Sequence, residues 1–299
     1  MSRPFADFDR VDVDVDGVNI HARVAGSGPP LLLLHGYPQS SYMWRHVAPL
    51  LTERFTVIAS DLRGYGDSSA PQDDDAHVTY SRRTMAADQV ALMSSLGHER
   101  FAVAGHDRGG RVAHRMALDF PEHVERLAVL DIVPTLHMFE KVDGEMAQTY
   151  FHWFFLNQPG DLPERLITAD PEGWIASRFR SRTSGAWRQE QDALDEYTRF
   201  FQDPAHVAAT CADYRAAASI DLEHDRHDRE LGHRIASPIL VMWGESSYVG
   251  RNFDVADVWR TYADDVTAMP MASDHYIPEE APEGTARALM SFFRAESSP

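Results

Sequence analysis

Between residues 11 and 24 polar and apolar side chains alternate: Val11, Val13 and Val15 against Asp12, Asp14 and Asp16, then Val18, Ile20, Ala22 and Val24. A period of two puts the apolar set on one face of a strand, and Asp16-Gly17 between the runs predicts a β-hairpin with one buried face. The pattern then changes. Pro29-Pro30 leads into Leu31–Leu34, an apolar run too short for most helices and suited to a strand covered on both faces. Further short apolar runs stand at 56–59, 101–104, 126–130, 239–243 and 266–269, and helical periodicity at 81–96, 108–120 and 280–293 separates most of them. Strand–helix alternation of this kind predicts an α/β fold, a mostly parallel sheet with helices on both faces.

The alternation stops between about Leu136 and His233, a stretch rich in aromatic and charged residues without strand patterning. It reads as a helical cap inserted after the sixth strand, so that 1–135 and 234–299 form the core and 136–233 the cap. Pro, Gly and Asp clusters at 158–161 and 169–173 divide the cap into several helices.

Composition narrows the class. The 299 residues are 43% apolar, enough for a large core. No run reaches the ~18 apolar residues of a membrane span. The start, Met1-Ser-Arg-Pro-Phe-Ala-Asp-Phe-Asp9, lacks a signal-peptide core, and Cys211 is the one cysteine. A soluble cytoplasmic protein is the expectation. A net charge of −18 repels a phosphate backbone, so no nucleic-acid partner is expected. It also requires that any anionic substrate meet a local positive site.

Three motifs carry candidate chemistry. His35-Gly36-Tyr37-Pro38 follows the Leu31–Leu34 run, Gly105-His106-Asp107-Arg108-Gly109 follows the 101–104 run, and Ser273-Asp274-His275 follows the last predicted strand. Each lies at the C-terminal end of a parallel strand, where open α/β sheets place their sites. Gly105-x-Asp107-x-Gly109 between a strand and a helix has the layout of a nucleophile elbow, with Asp107 in place of the usual serine. A carboxylate of ordinary pKa is ionised at neutral pH and needs no base to attack. Displacing a leaving group from sp³ carbon gives it an ester that water can cleave, whereas a serine would be left as an ether. Asp107 therefore points to a covalent ester intermediate, and His275 to the base that activates the hydrolytic water. Arg108 and Arg111, three apart, are neighbours on one helical face and are able to hold a substrate carboxylate beside Asp107. Arg115 continues the spacing but reads as structural, as does His106. The segment His224–Asp228 reads as a salt-bridged return rather than a metal site.

Gly105-His-Asp-Arg-Gly-Gly-Arg111, Asp131-Ile-Val-Pro-Thr135, His152-Trp153, Asp213-Tyr-Arg-Ala216 and Asp221-Leu-Glu-His-Asp225 together resemble the haloacetate (fluoroacetate) dehalogenase family of the α/β-hydrolase fold, over essentially the whole chain. The core motifs alone are shared with epoxide hydrolases and haloalkane dehalogenases. Many such relatives carry an Asp three residues beyond the glycine ending the seventh strand; here Gly244 puts Ser247 there, with Glu245 nearby but offset. Asp131, ending the sixth strand, is the better candidate to orient His275, and the resemblance agrees. The resemblance also implies a halide site of His152, Trp153 and Tyr214, oxyanion donors in the backbone N–H groups of Tyr37 and Arg108, a small haloacid as substrate, no cofactor or metal, no membrane partner, and a homodimer. The implied reaction converts a 2-haloacetate to glycolate and halide. The alternative is epoxide hydrolysis on the same aspartate, with cap tyrosines drawn from Tyr150, Tyr197 and Tyr214 as acids. A neutral epoxide, however, does not need Arg108 and Arg111. A non-catalytic binding protein on the same scaffold is disfavoured because Asp107, Asp131 and His275 are all present.

Overall fold

The computed structural model describes residues 5–180 and 187–294. Its eight strands are β1 (Asp9–Val15), β2 (Val18–Ala25), β3 (Pro30–Leu34), β4 (Thr56–Ser60), β5 (Phe101–His106), β6 (Val124–Leu130), β7 (Ile239–Gly244) and β8 (Val266–Met271). They form one sheet in the order β1-β2-β4-β3-β5-β6-β7-β8. β1 and β2 are the antiparallel hairpin, turned at Asp16 and Gly17, both with positive φ as a tight hairpin turn demands. β2 also runs antiparallel to β4, and the pairings from β4 through β8 are parallel. Leu31 to Leu34 are fully buried, which is what a continuous apolar strand in mid-sheet needs.

The expected helices are present as Arg82–Ser95, Asp107–Asp119 and Pro282–Arg294. The first is capped by Ser81, whose hydroxyl accepts the Thr84 N–H. The run expected to be one helix over 280–293 is two, Ile277–Glu280 and Pro282–Arg294. The break falls at Ala281, with φ −137° and ψ 57°, because the residue before a proline avoids the helical region. Between β6 and β7 the described residues form helices only: Thr135–Glu140, Gly144–Thr149, Phe151–Leu156, Leu162–Ala169, Pro171–Arg180, Gln191–Phe201, Pro204–Ala218 and Ile220–Leu231. No described helix is long and apolar enough to cross a membrane.

The strand ends of the sheet determine what comes together. β5 passes directly into the Asp107–Asp119 helix, and Asp107 at the turn has φ 45°. That left-handed conformation costs a non-glycine residue on the order of 1–3 kcal/mol and is held only by surrounding packing. Two glycines make the packing possible. A Cβ on Gly105 would lie 2.3 Å from the Gly109 carbonyl oxygen, and one on Gly109 would lie 2.4 Å from the His35 carbonyl oxygen. The Gly109 N–H donates to that same oxygen at 2.8 Å, tying the elbow to the end of β3. Asp131, just past β6, also has positive φ, at 53°.

This packing predicts a contrast between two glycines. Gly109→Ala, whose new methyl would press on backbone, is expected to lower unfolding stability by about 1–3 kcal/mol or more. Gly144→Ala, at a helix start with open space around it, is expected to change it by less than about 1 kcal/mol. Urea denaturation of the two variants checks both; equal effects would contradict the packing account.

Candidate active site

Asp107, Asp131 and His275 meet at the C-terminal edge of the sheet, all nearly inaccessible to solvent. His275 Nδ1 is 2.7 Å from Asp131 Oδ2, so the carboxylate accepts an N–H and fixes the tautomer in which Nε2 is free of its proton. Nε2 then faces Asp107 Oδ2 at 3.9 Å. The other oxygen of Asp131 accepts the Ser247 hydroxyl at 2.6 Å and the Gly244 N–H at 3.1 Å. Glu245 is exposed and lies outside this chain of contacts. The Tyr37 N–H donates to Asp107 Oδ2 at 3.3 Å, placing one backbone donor on the carboxylate.

The two arginines expected to act as a pair are not equivalent. Arg108 is gripped by Asp213: Nε donates to Oδ2 at 2.8 Å, Nη2 to the backbone carbonyl at 2.8 Å, and Nη2 also to Oδ1. Tyr65 donates its hydroxyl to the same carboxylate at 2.7 Å. Arg108, expected with Arg111 to hold a substrate carboxylate, is thus paired with a carboxylate of the protein itself. Two of its three nitrogens serve Asp213, and only Nη1 lacks a partner among the described residues. Arg111 differs. Its Nη1 donates to the Val133 carbonyl at 2.9 Å and to the Thr135 hydroxyl at 3.0 Å, both neutral, and its Nε has no partner among the described residues.

Charge accounting across the neighbouring helices makes the difference plain. Arg82 is paired with Asp221, Arg108 with Asp213, and Arg115 with Asp119, Asp225 and Asp228. Arg111, 3% exposed, makes no salt bridge among the described residues. Burial and the neighbouring Arg82 push its pKa down to about 10, with the nearby Asp107 charge opposing the shift. For Arg108 the Asp213 carboxylate overcomes the burial and raises the pKa. Arg111 is still protonated at neutral pH, so a buried positive charge faces Asp107 without an acid of its own.

His152, Trp153 and Tyr214 from the cap close over these charges, each 1% exposed. The Tyr214 ring lies under the Arg108 guanidinium at 4.3 Å and the Trp153 ring under that of Arg111 at 4.8 Å. His152 stacks on the Tyr37 ring with centroids 6.0 Å apart and meets Tyr214 edge-on at 5.7 Å. The Trp153 indole N–H is buried without a hydrogen-bond partner among the described residues. Of the other tyrosines, Tyr197 donates to Glu279 at 2.8 Å, and Tyr150 contacts His152 and Trp153 through its ring.

With the geometry in place, comparison with known proteins is informative. Residues 29–269 match the family model described as the alpha/beta hydrolase fold. The chain belongs to the α/β-hydrolase family. It is 45% identical over 289 residues to a fluoroacetate dehalogenase from Burkholderia sp, covering 96% of this chain and 94% of that protein. It is 34% identical to a soluble epoxide hydrolase from Corynebacterium sp. (strain C12), covering 93% and 95%. A solved structure with this fold, from Nostoc sp PCC 7120, superposes with TM-score 0.94 at 50% identity, covering 97% of this chain and 99% of that one. This α/β-hydrolase is therefore a hydrolase related to both dehalogenases and epoxide hydrolases.

Sequence reasoning passed over three residues that hold the site. Asp213 stood in a quoted motif without a role; its buried position in the Pro204–Ala218 helix gives it one. Ser247 occupied the place where an acid was sought, and its hydroxyl instead supports the acid supplied by Asp131. Thr135 closes the Asp131–Thr135 motif and anchors Arg111. A buried hydroxyl or acid of this kind has no periodicity to betray it.

Removing Asp213 would leave Arg108 as an uncompensated buried charge. Asp213→Ala is expected to lower stability by about 3–5 kcal/mol. Chemical denaturation reads this directly, and a loss well under 1 kcal/mol would show that the pair is not buried as described.

Proposed function

We propose that this α/β-hydrolase cleaves 2-haloacetates to glycolate and halide through an ester on Asp107. The observation that carries the reading is Arg111, a buried guanidinium beside Asp107 that makes no salt bridge among the described residues, while Arg82, Arg108 and Arg115 each do. Leaving such a charge uncompensated costs several kcal/mol, and an anionic substrate supplies the missing partner. A haloacetate carboxylate on Arg111, with Nη1 of Arg108 as an additional donor, brings the halogen-bearing carbon to Asp107. The same two groups answer the net charge of −18: surface charge is screened over about 8 Å at physiological salt, while this charge acts in contact.

In the first step an Asp107 oxygen attacks the α-carbon, the carbon–halogen bond breaks, and the halide leaves with the bonding pair. His152, Trp153 and Tyr214 supply ring N–H and O–H donors to the halide. In the second step water attacks the carboxyl carbon of Asp107. His275 takes the water proton, Asp131 stabilises the imidazolium, and the Tyr37 N–H, with that of Arg108, stabilises the oxyanion. Collapse breaks the bond from that carbon to the glycolate oxygen, glycolate leaves with the proton from His275, and Asp107 retains one oxygen from water and returns to the carboxylate by losing the water's second proton to solvent.

Epoxide hydrolysis is less well supported. It calls for paired tyrosine acids, and Tyr197 has its hydroxyl committed to Glu279. It also gives Arg111 no anion to bind.

Turnover of chloroacetate or fluoroacetate in ¹⁸O-water is expected to place label in the Asp107 carboxylate, read by mass spectrometry of the peptide; unlabelled protein after many turnovers would remove the ester from the mechanism. His275→Asn is expected to release halide once per site and then stall with a carboxymethyl group on Asp107. Arg111→Leu is expected to lower kcat/KM for haloacetates by at least about 100-fold, the scale of a lost charge-assisted contact. A panel of fluoro-, chloro- and bromoacetate beside a simple epoxide tests the reading as a whole: diol formation without halide release would favour the epoxide reaction.

A further inference from the structure

His275 sits in a loop whose backbone is held at three consecutive residues. The Asp274 N–H donates to Glu280 Oε2 at 2.8 Å, and the Tyr276 N–H donates to Glu280 Oε1 at 2.9 Å. Between them, the His275 carbonyl lies 2.8 Å from Nε2 of His106. His106 is fully buried, and burial pushes its pKa down to about 4, so its ring is neutral and the proton of its donating Nε2 is fixed by that carbonyl. It immediately precedes Asp107. A single hydrogen bond thus links the turn that carries the nucleophile to the loop that carries the imidazole.

Part of this is helix capping. Tyr276 precedes the Ile277–Glu280 turn, and the Glu280 carboxylate satisfies N–H groups that the turn cannot. Capping alone would need one such bond. Here both carboxylate oxygens are spent on the peptide groups flanking His275, which removes the freedom of its Cα to shift along the strand axis. The imidazole must reach Asp131 at 2.7 Å through one nitrogen while holding the other 3.9 Å from Asp107, room for a water set against the ester. A small displacement of Cα breaks one of those two requirements.

We infer that Glu280 is a positioning residue for His275, and that with His106 it sets the rate of the water-dependent second step while leaving the first step alone. The inference rests on the two-step reading proposed above. Asp107 attacks without a base, so the halide-releasing step does not sense where His275 lies; ester hydrolysis does.

The experiment is rapid-quench kinetics with chloroacetate on Glu280→Gln and Glu280→Asp. In the glutamine variant an NH₂ group must face a peptide N–H, and in the aspartate variant the shorter chain reaches only one of the two. Both are expected to release the first halide at the unchanged rate, then to turn over about tenfold more slowly, the scale of one lost hydrogen bond, with carboxymethylated Asp107 accumulating. Parallel loss of both steps, or loss of neither, overturns the inference. Without substrate, hydrogen exchange of the 274 and 276 amides is expected to quicken about tenfold in Glu280→Gln, and unchanged exchange also overturns it. The two readings fail separately: if His275→Asn forms no adduct, the dehalogenation reading falls, while the exchange rates still report on the clamp.

Discussion

A buried guanidinium needs an anion, and in this protein that requirement organises the space above the sheet. Arg82, Arg108, Arg111 and Arg115 enter from two adjacent helices of the core, all nearly fully buried. The cap segment returns Asp213, Asp221, Asp225 and Asp228 to meet them. Burial of an unpaired charge is so costly that these pairings fix how the cap lies over the core. Of the four arginines, Arg111 alone makes no salt bridge among the described residues, and it is the one facing Asp107 across the elbow turn.

The second organising constraint is the strand-to-helix turn at Asp107. Glycines on either side let backbone pass backbone at distances no side chain would allow, and the strained aspartate is raised above the sheet as a result. In the proposed reaction an aspartate there attacks with no help from a base, which divides the chemistry into a step that uses the elbow and a step that uses the histidine loop. The elbow is tied to the end of β3 by the Gly109 N–H, the loop is held by Asp131 and Glu280, and the His106 bond joins the two. In this chain the helices above the sheet bring an indole N–H that has no hydrogen-bond partner among the described residues, and a tyrosine ring against a guanidinium, to the space over Asp107.

Much of this was legible along the chain. Alternating valines and aspartates marked the hairpin, because a half-buried strand has a period of two. The Leu31–Leu34 run marked a strand covered on both faces. Gly105-x-Asp107-x-Gly109 marked the elbow, because only glycines permit that turn, and the late histidine followed from its place after the last strand. These are local constraints, carried by residues within a few positions of one another. The helix drawn through 280–293 was cut at Pro282 for an equally local reason that the apolar periodicity concealed.

What the chain did not disclose is which charges meet. Arg108 and Asp213 are 105 positions apart, and Arg82 and Asp221 are 139 apart. A bundle of arginines and a distant bundle of aspartates have the same composition whether each is paired or one is left over. By itself the sequence determined the sheet and the elbow, and singled out Asp107 and His275 as the candidate nucleophile and base, since those follow from backbone sterics and strand order. Only the tertiary structure decided that Arg108 is already spoken for and Arg111 is not, because pairing in a buried site depends on distances that no spacing along the chain encodes.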